Sequence, residues 1–160
     1  MQWRWIQREA LLRLHGMSLV QFGGLPGLRD AGLLESALAP PEQLSNYAKP
    51  DVADIAAAYA FGLAKNHPFI DGNKRAAFLA LGLSLRLNGC RLTASQSEAT
   101  QTILMLAAGD LGDVVCIYQR IGWGSFSHVV ERTNAENQFT LKYIAECIVG
   151  TLGQNWYRFW

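Results

Sequence analysis

The chain has 160 residues, of which 50% are hydrophobic and 17% are charged, and its formal net charge is +1. This composition excludes a disordered protein, and the length predicts one domain with a substantial hydrophobic core. The near-neutral charge gives no electrostatic reason to expect binding to nucleic acid or to a membrane surface, and no apolar run is long enough to span a membrane.

The first predicted element is an amphipathic helix from about Trp5 to Leu14, which is expected to stop at Gly16. Two histidines, His15 near the end of this helix and His128 far along the chain, are expected to be surface or capping residues.

Residues 18–27 form a short and mostly apolar stretch around Phe22, Gly23 and Gly24. Adjacent glycines between apolar residues favour a hairpin or flap over a continued helix. A plain connecting loop is the alternative, and the residues alone do not separate the two.

Two further helices are predicted on either side of residue 70. Residues 53–65 are rich in alanine, with apolar side chains at helical spacing and Asp51 as a plausible N-cap. Residues 75–87 are similarly apolar and end at Asn88 and Gly89, which is a strong helix stop.

The segment between these helices carries an unusual concentration of polar groups. It reads His67-Pro68-Phe69-Ile70-Asp71-Gly72-Asn73-Lys74-Arg75. Gly72, Asn73 and Lys74 open the second helix, where main-chain N–H groups and the helix dipole can bind an anion.

Each charged or titratable side chain of this segment suits phosphate chemistry. His67 could accept a proton from a hydroxyl, and Asp71 offers the oxygen ligand that Mg²⁺ prefers. Lys74 and Arg75 could neutralise phosphate charge. Taken singly, each also fits an ordinary cap, turn or solvated surface, so the prediction rests on their combination.

A last helix is predicted over residues 99–108, preceded by a capping box from Ser95 to Glu98 and closed by Gly109. Its apolar face should pack on the core. The three cysteines lack metal-ligand spacing and are expected to be packed thiols; together with the absence of a signal-peptide pattern, they favour a cytoplasmic location. They are Cys90, Cys116 and Cys147.

The segment 67–75 resembles the signature of the Fic/Doc superfamily, and specifically that of Doc (death-on-curing) toxins. The Fic branch has a second glycine where this chain has Lys74, and a final arginine where it has Phe78. Both departures match the Doc pattern. Residues 27–41 and 87–109 are also similar to Doc-like proteins, so that the resemblance covers roughly residues 4–112.

The resemblance implies a compact all-α Fic-fold helical bundle, with a short β-hairpin-like flap over a loop that binds ATP and Mg²⁺. The implied roles are His67 as general base, Asp71 as metal ligand, Gly72, Asn73 and Lys74 as the anion hole, Arg75 on the phosphates, Phe22, Gly23 and Gly24 in a flap that aligns the target peptide, and Phe69 as a packing residue of the motif.

The implied function is that of a toxin in a toxin–antitoxin pair, which transfers a phosphoryl group from ATP to a hydroxyl of a target protein. By family analogy the target is translation elongation factor Tu, and the inhibitor is an antitoxin whose tail folds as a helix on the toxin. The alternatives are AMP transfer on the same fold, or a catalytically silent binding protein. The replacement of the last arginine by Phe78 favours phosphoryl transfer.

The predicted organisation is a catalytic domain over residues 1–112 and an extension over residues 113–160. No family resemblance is found in the extension. It could pack on the domain, contact an antitoxin, or be a poorly ordered tail that arose from an altered reading frame.

Overall fold

The computed structural model describes residues 2–92, 96–108 and 130–132. Most of these residues are helical, which confirms the predicted all-α class. The elements in chain order are α1 (Arg8–Phe22), α2 (Ala31–Leu38), α3 (Pro40–Tyr47), α4 (Val52–Asn66), α5 (Asn73–Leu87), β1 (Cys90–Leu92), α6 (Gln96–Ala108) and β2 (Val130–Arg132).

Helix α4 lies at the centre and contacts α2, α3, α5 and α6. Its alanines are buried and allow the neighbouring helices to approach closely. The predicted N-cap is confirmed as a reciprocal capping box, because Asp51 accepts from the amide of Asp54 and the Asp54 carboxylate accepts from the amide of Asp51.

Helix α5 follows the prediction at both ends. It begins at Asn73 and ends at Leu87, where the amide of Asn88 donates to carbonyls of the last turn and Gly89 adopts a φ of 75°. Phe78 is 5% exposed and belongs to the hydrophobic core. Phe78, which stands where the Fic branch has its last arginine, therefore fills core space.

The predicted helix near residue 100 is also confirmed. Ile103 and Leu106 are buried in the core, and Ala107 packs against it. Cys90 is 5% exposed, as expected of a packed thiol. The structural predictions for five other residues lie outside the described part of the chain: Ser95, Gly109, Cys116, His128 and Cys147.

The predicted end of the first helix is wrong. Helix α1 continues through Gly16 to Phe22, because its buried face continues on both sides of the glycine with Leu14 and Leu19. The predicted hairpin is wrong for the same reason, since residues 18–22 are helical. Packing of this face outweighs the helix penalty of one glycine, which is about 1 kcal/mol.

Of the predicted extension, the structure describes only β2. It pairs antiparallel with β1, with Cys90 opposite Arg132. The domain boundary near residue 112 and the three alternatives for the extension stay predictions. No helix in the described ranges combines the length and the apolar character needed to cross a membrane.

Two glycines inside helices should respond in opposite ways to alanine. At Gly16 an added Cβ meets nothing within 4 Å, whereas at Gly62 it would lie 2.6 Å from the carbonyl oxygen of Ala37 in α2. We expect Gly16→Ala to raise the free energy of unfolding by about 0.5–1 kcal/mol. Gly62→Ala should lower it by about 1–3 kcal/mol through overpacking. Urea denaturation of both variants checks this, and equal effects would contradict the close α2–α4 approach.

Candidate active site

The segment that joins α4 to α5 turns through two left-handed residues. His67 ends α4 with a φ of 49° and donates its amide to the carbonyl of Leu63, and Gly72 precedes α5 with a φ of 71°. Glycine adopts this conformation freely, but histidine does so at a cost of about 1–2 kcal/mol. The surrounding contacts must therefore hold His67 in place.

Asn73 closes the loop between these two turns. Its Oδ1 accepts from the amide of Phe69 at 2.8 Å, and its Nδ2 donates to the carbonyl of Phe69 at 2.9 Å. A single side chain thus satisfies both main-chain groups of a residue whose ring is buried. The Asn73 side chain holds the loop, which leaves its main-chain amide as the group available for an anion.

Residues 27–30 run along the other side of the loop and form hydrogen bonds with its main chain. The carbonyl of Pro68 accepts from the amides of Arg29 and Asp30, and the amide of Ile70 donates to the carbonyl of Gly27. An isolated antiparallel bridge joins Leu28 to Phe69 between these bonds. The sequence-distant residues 27–30 therefore fix the loop at the level of its main chain.

Residues 23–27, which we call the flap, follow α1 and lead into this pairing. The carboxylate of Asp71 ties the flap to the loop, because its Oδ2 accepts from the amide of Leu25 at 3.2 Å. Its Oδ1 accepts from the amide of Gly72 at 2.6 Å. Leu25 itself is 67% exposed, so the flap presents an open outer face to solvent.

Arg75 contacts the flap from the first turn of α5. Its Nη1 donates to the carbonyls of Gly23 at 2.8 Å and Ser18 at 3.3 Å. Burial lowers the pKa of the guanidinium, and the nearby Asp71 carboxylate opposes that shift. The predicted contact of Arg75 with phosphates stays a prediction.

The sequence predicts His15 as a surface or capping residue, and this prediction is wrong. Its side chain is 3% exposed, stacks on Phe69 with ring centroids 3.8 Å apart, and places Nε2 2.9 Å from the carbonyl oxygen of Asp71. Since a carbonyl only accepts, Nε2 is the donor. Burial lowers the pKa of His15 and is the largest effect on it, whereas this hydrogen bond acts in the opposite direction. The helical spacing of Leu11, Ser18 and Leu19 places His15 on the buried face of α1. The sequence predicts this burial only if the helix is continued through Gly16.

The predicted site residues of the junction share one open cavity of 220 Å³. The lining residues are His67, Ile70, Asp71, Gly72, Asn73, Lys74 and Arg75. Phe69 lies in the core, as its predicted packing role requires. Gly23 and Gly24 belong to the flap, which contacts the site through Arg75 and Asp71. Phe22 is the last residue of α1 and does not line the cavity.

The cavity combines a titratable side chain with the positive end of a helix. The amide of Ala76 donates to the carbonyl of Gly72 at 2.8 Å. The amides of residues 73–75 come before this hydrogen bond in the chain, and amides at this place have no acceptor within the helix. Such amides, with the helix dipole behind them, favour a phosphate group. His67 lines the same space.

A divalent cation fits this site only in a limited way. Among the described residues, no group of three histidine, cysteine or acidic side chains could hold a metal ion. Mg²⁺, however, is commonly bound through one or two carboxylates together with substrate phosphates. Asp71 therefore fits a magnesium ion that arrives with a nucleotide, and does not fit a metal site made by protein alone.

Comparison with known proteins agrees with this geometry. The model of the Fic/DOC family matches residues 5–85, just over half of the chain. This chain belongs to the Fic/Doc family. The match begins before α1 and ends within α5, so it includes the flap and the whole junction.

Two curated relatives identify the Doc type within the family. The chain is 34% identical over 101 residues to a protein named Protein kinase doc from Escherichia phage P1; this covers 62% of the chain and 80% of the relative. It is 45% identical over 78 residues to Toxin Doc from Mycolicibacterium smegmatis, covering 47% of the chain and 59% of the relative.

Removal of the Asn73 side chain should destabilise the loop. In Asn73→Ala the amide of Phe69 loses its acceptor, and a buried donor without a partner costs about 1–3 kcal/mol. Denaturant unfolding should show a loss of this size. Asn46→Ala in α3, where the side chain is exposed, is the matched control and should change stability little. Equal stabilities of the two variants would show that Asn73 does not hold the loop.

Proposed function

We propose that this protein is the toxin of a toxin–antitoxin pair and that it transfers a phosphoryl group from ATP to a hydroxyl of a target protein. The observation that carries the proposal is the placement of His67 and the N-terminus of α5 on one open cavity. The names of the two relatives, Protein kinase doc and Toxin Doc, support both the reaction type and the toxin role.

In the proposed reaction, His67 removes the proton from the target hydroxyl. The hydroxyl oxygen then bonds to the γ-phosphorus of ATP, and the bond from that phosphorus to the β–γ bridging oxygen breaks as ADP leaves. Phosphoryl transfer depends mainly on positioning and charge stabilisation, which is what this short segment can supply.

The triphosphate is proposed to lie against the start of α5. Of the predicted anion hole, Asn73 and Lys74 would offer their main-chain amides to the developing negative charge, whereas the amide of Gly72 already donates to Asp71 Oδ1. The Lys74 side chain lines the same cavity and would add a positive charge. Mg²⁺ bound through Asp71 would neutralise phosphate charge when it accompanies the nucleotide.

Phosphoryl transfer is preferred over AMP transfer because of residue 78. In the Fic branch of the family this position carries an arginine that helps to orient the nucleotide for AMP transfer. Here Phe78 is buried in the core and cannot contact phosphates. The protein target is proposed to be translation elongation factor Tu, and an antitoxin with a helix-forming tail is the proposed inhibitor; both come from the family resemblance.

The decisive variant is His67→Ala. We expect it to abolish growth inhibition when the toxin is expressed alone, and to reduce phosphorylation of elongation factor Tu by about 10²–10⁴-fold, the usual contribution of a general base. ATP labelled at the γ-phosphorus measures the transfer, and circular dichroism confirms that the variant is folded.

The exposed Lys49→Ala variant serves as control and should remain toxic. Unchanged toxicity of His67→Ala would remove His67 from the mechanism. Label transferred from the α-phosphorus in place of the γ-phosphorus would show AMP transfer, and transfer of neither label by wild-type protein would indicate the silent binding protein.

A further inference from the structure

Between α1 and the active-site loop lies a buried histidine that the proposed reaction does not use. His15 donates its Nε2–H to the carbonyl of Asp71 at 2.9 Å, and its ring stacks on that of Phe69 with an angle of 23° between the two planes. The Phe69 ring is buried, and its main chain is held by Asn73. His15 therefore reaches the main chain of the loop from a fixed platform.

His15 binds one end of a peptide group whose other end is also bound. The carbonyl of Asp71 and the amide of Gly72 belong to one planar unit, and in a trans peptide they point in opposite directions. His15 binds the carbonyl, and Asp71 Oδ1 accepts from the amide at 2.6 Å. A rotation of this peptide group would break both hydrogen bonds and would turn the carbonyl toward the Asp71 carboxylate.

Gly72 cannot prevent that rotation by itself. It has a φ of 71°, but glycine adopts positive and negative φ values with similar ease. A side chain that would restrict it has no room, because a Cβ at Gly72 would lie 2.9 Å from Nε2 of His15. The restraint must therefore come from outside the turn, and the hydrogen bond from His15 supplies it.

The orientation of this peptide group affects two parts of the cavity. Before it in the chain is the carboxylate of Asp71, which also accepts from the amide of Leu25 in the flap. After it are Asn73 and Lys74, which open α5. Asp71, Asn73 and Lys74 all line the cavity. One restraint on the peptide group between them therefore aligns the proposed magnesium ligand with the proposed anion site.

We propose that His15 is a positioning residue of the active site, which locks the Asp71–Gly72 peptide and so aligns the Asp71 carboxylate with the start of α5. His15 does not line the cavity and touches neither substrate. The consequence for the reaction rests on the proposed function. If the peptide were unlocked, the magnesium–nucleotide complex would meet its two binding groups in variable relative positions, and both its affinity and the rate of transfer would fall.

Two substitutions separate the hydrogen bond of His15 from its packing. His15→Gln keeps an N–H donor with similar reach but loses the ring, whereas His15→Phe keeps a ring against Phe69 but loses the donor. If His15 only filled space, His15→Phe would be the milder change. The proposal predicts the reverse order.

The first measurement is amide hydrogen exchange by NMR at Gly72 and Leu25, which both donate to the Asp71 carboxylate. His15→Phe should speed exchange at both amides by roughly fivefold, the factor that corresponds to one ordinary hydrogen bond, and His15→Gln by less than about twofold. Arg13→Gln, on the exposed face of α1, is the control and should leave both unchanged. Wild-type exchange at both amides in His15→Phe would overturn the proposal.

The second measurement is binding of the magnesium complex of a non-hydrolysable ATP analogue by calorimetry, together with the kcat for transfer to elongation factor Tu. His15→Phe should lower the affinity by about three- to tenfold and the kcat by about ten- to a hundredfold, while His15→Gln stays within about threefold of wild type in both. Equal losses in the two variants, or a larger loss in His15→Gln, would show a packing role and overturn the proposal.

These measurements separate the proposal from the proposed function. If wild-type protein binds no nucleotide, the proposed enzyme activity fails, but hydrogen exchange still decides whether His15 locks the peptide. If His15→Phe does not fold, His15→Met also lacks the donor and carries the same measurements. In the wild-type protein, nitrogen NMR chemical shifts of the His15 ring report which nitrogen carries the proton, and a proton on Nδ1 alone would overturn the proposal.

Discussion

The site depends on the pair of hydrogen bonds between the Asn73 side chain and the main chain of Phe69. This pair closes a five-residue loop, and α5 begins at the end of that loop with residues that line the cavity. His67 and Gly72, which both have left-handed backbone conformations, lie close to this loop in the chain. Without this closure, the same residues would be present but would not face one another.

The fold was predicted where its signals are local. Helices α4 and α5 are marked by a capping box at Asp51 and by a stop at Asn88, and both signals act within a few residues. The end of α1 was not predicted, because Gly16 is a local signal for a helix stop that burial of Leu14 and Leu19 overrides. The sequence therefore favours a hairpin at residues 18–22, although they continue the buried face of a helix.

The site shows the same division between local and distant contacts. The nine residues from His67 to Arg75 could be recognised together because they are adjacent in the chain. The contacts that hold them are not adjacent: His15 lies 56 residues from Asp71, and Leu25 lies 46 residues from it. No periodicity or motif spacing reports such pairs, so the burial of His15 and the anchoring of the flap by Arg75 required coordinates.

The left-handed backbone of His67 has a further consequence for how this protein tolerates change. Glycine at this position would relieve the strain of about 1–2 kcal/mol that histidine carries there, but it would also remove the imidazole of the proposed base. Selection for a more stable fold and selection for toxicity therefore act in opposite directions on one residue. Strains freed from the need for the toxin would be expected to accumulate substitutions there, and those substitutions would leave a folded, harmless protein.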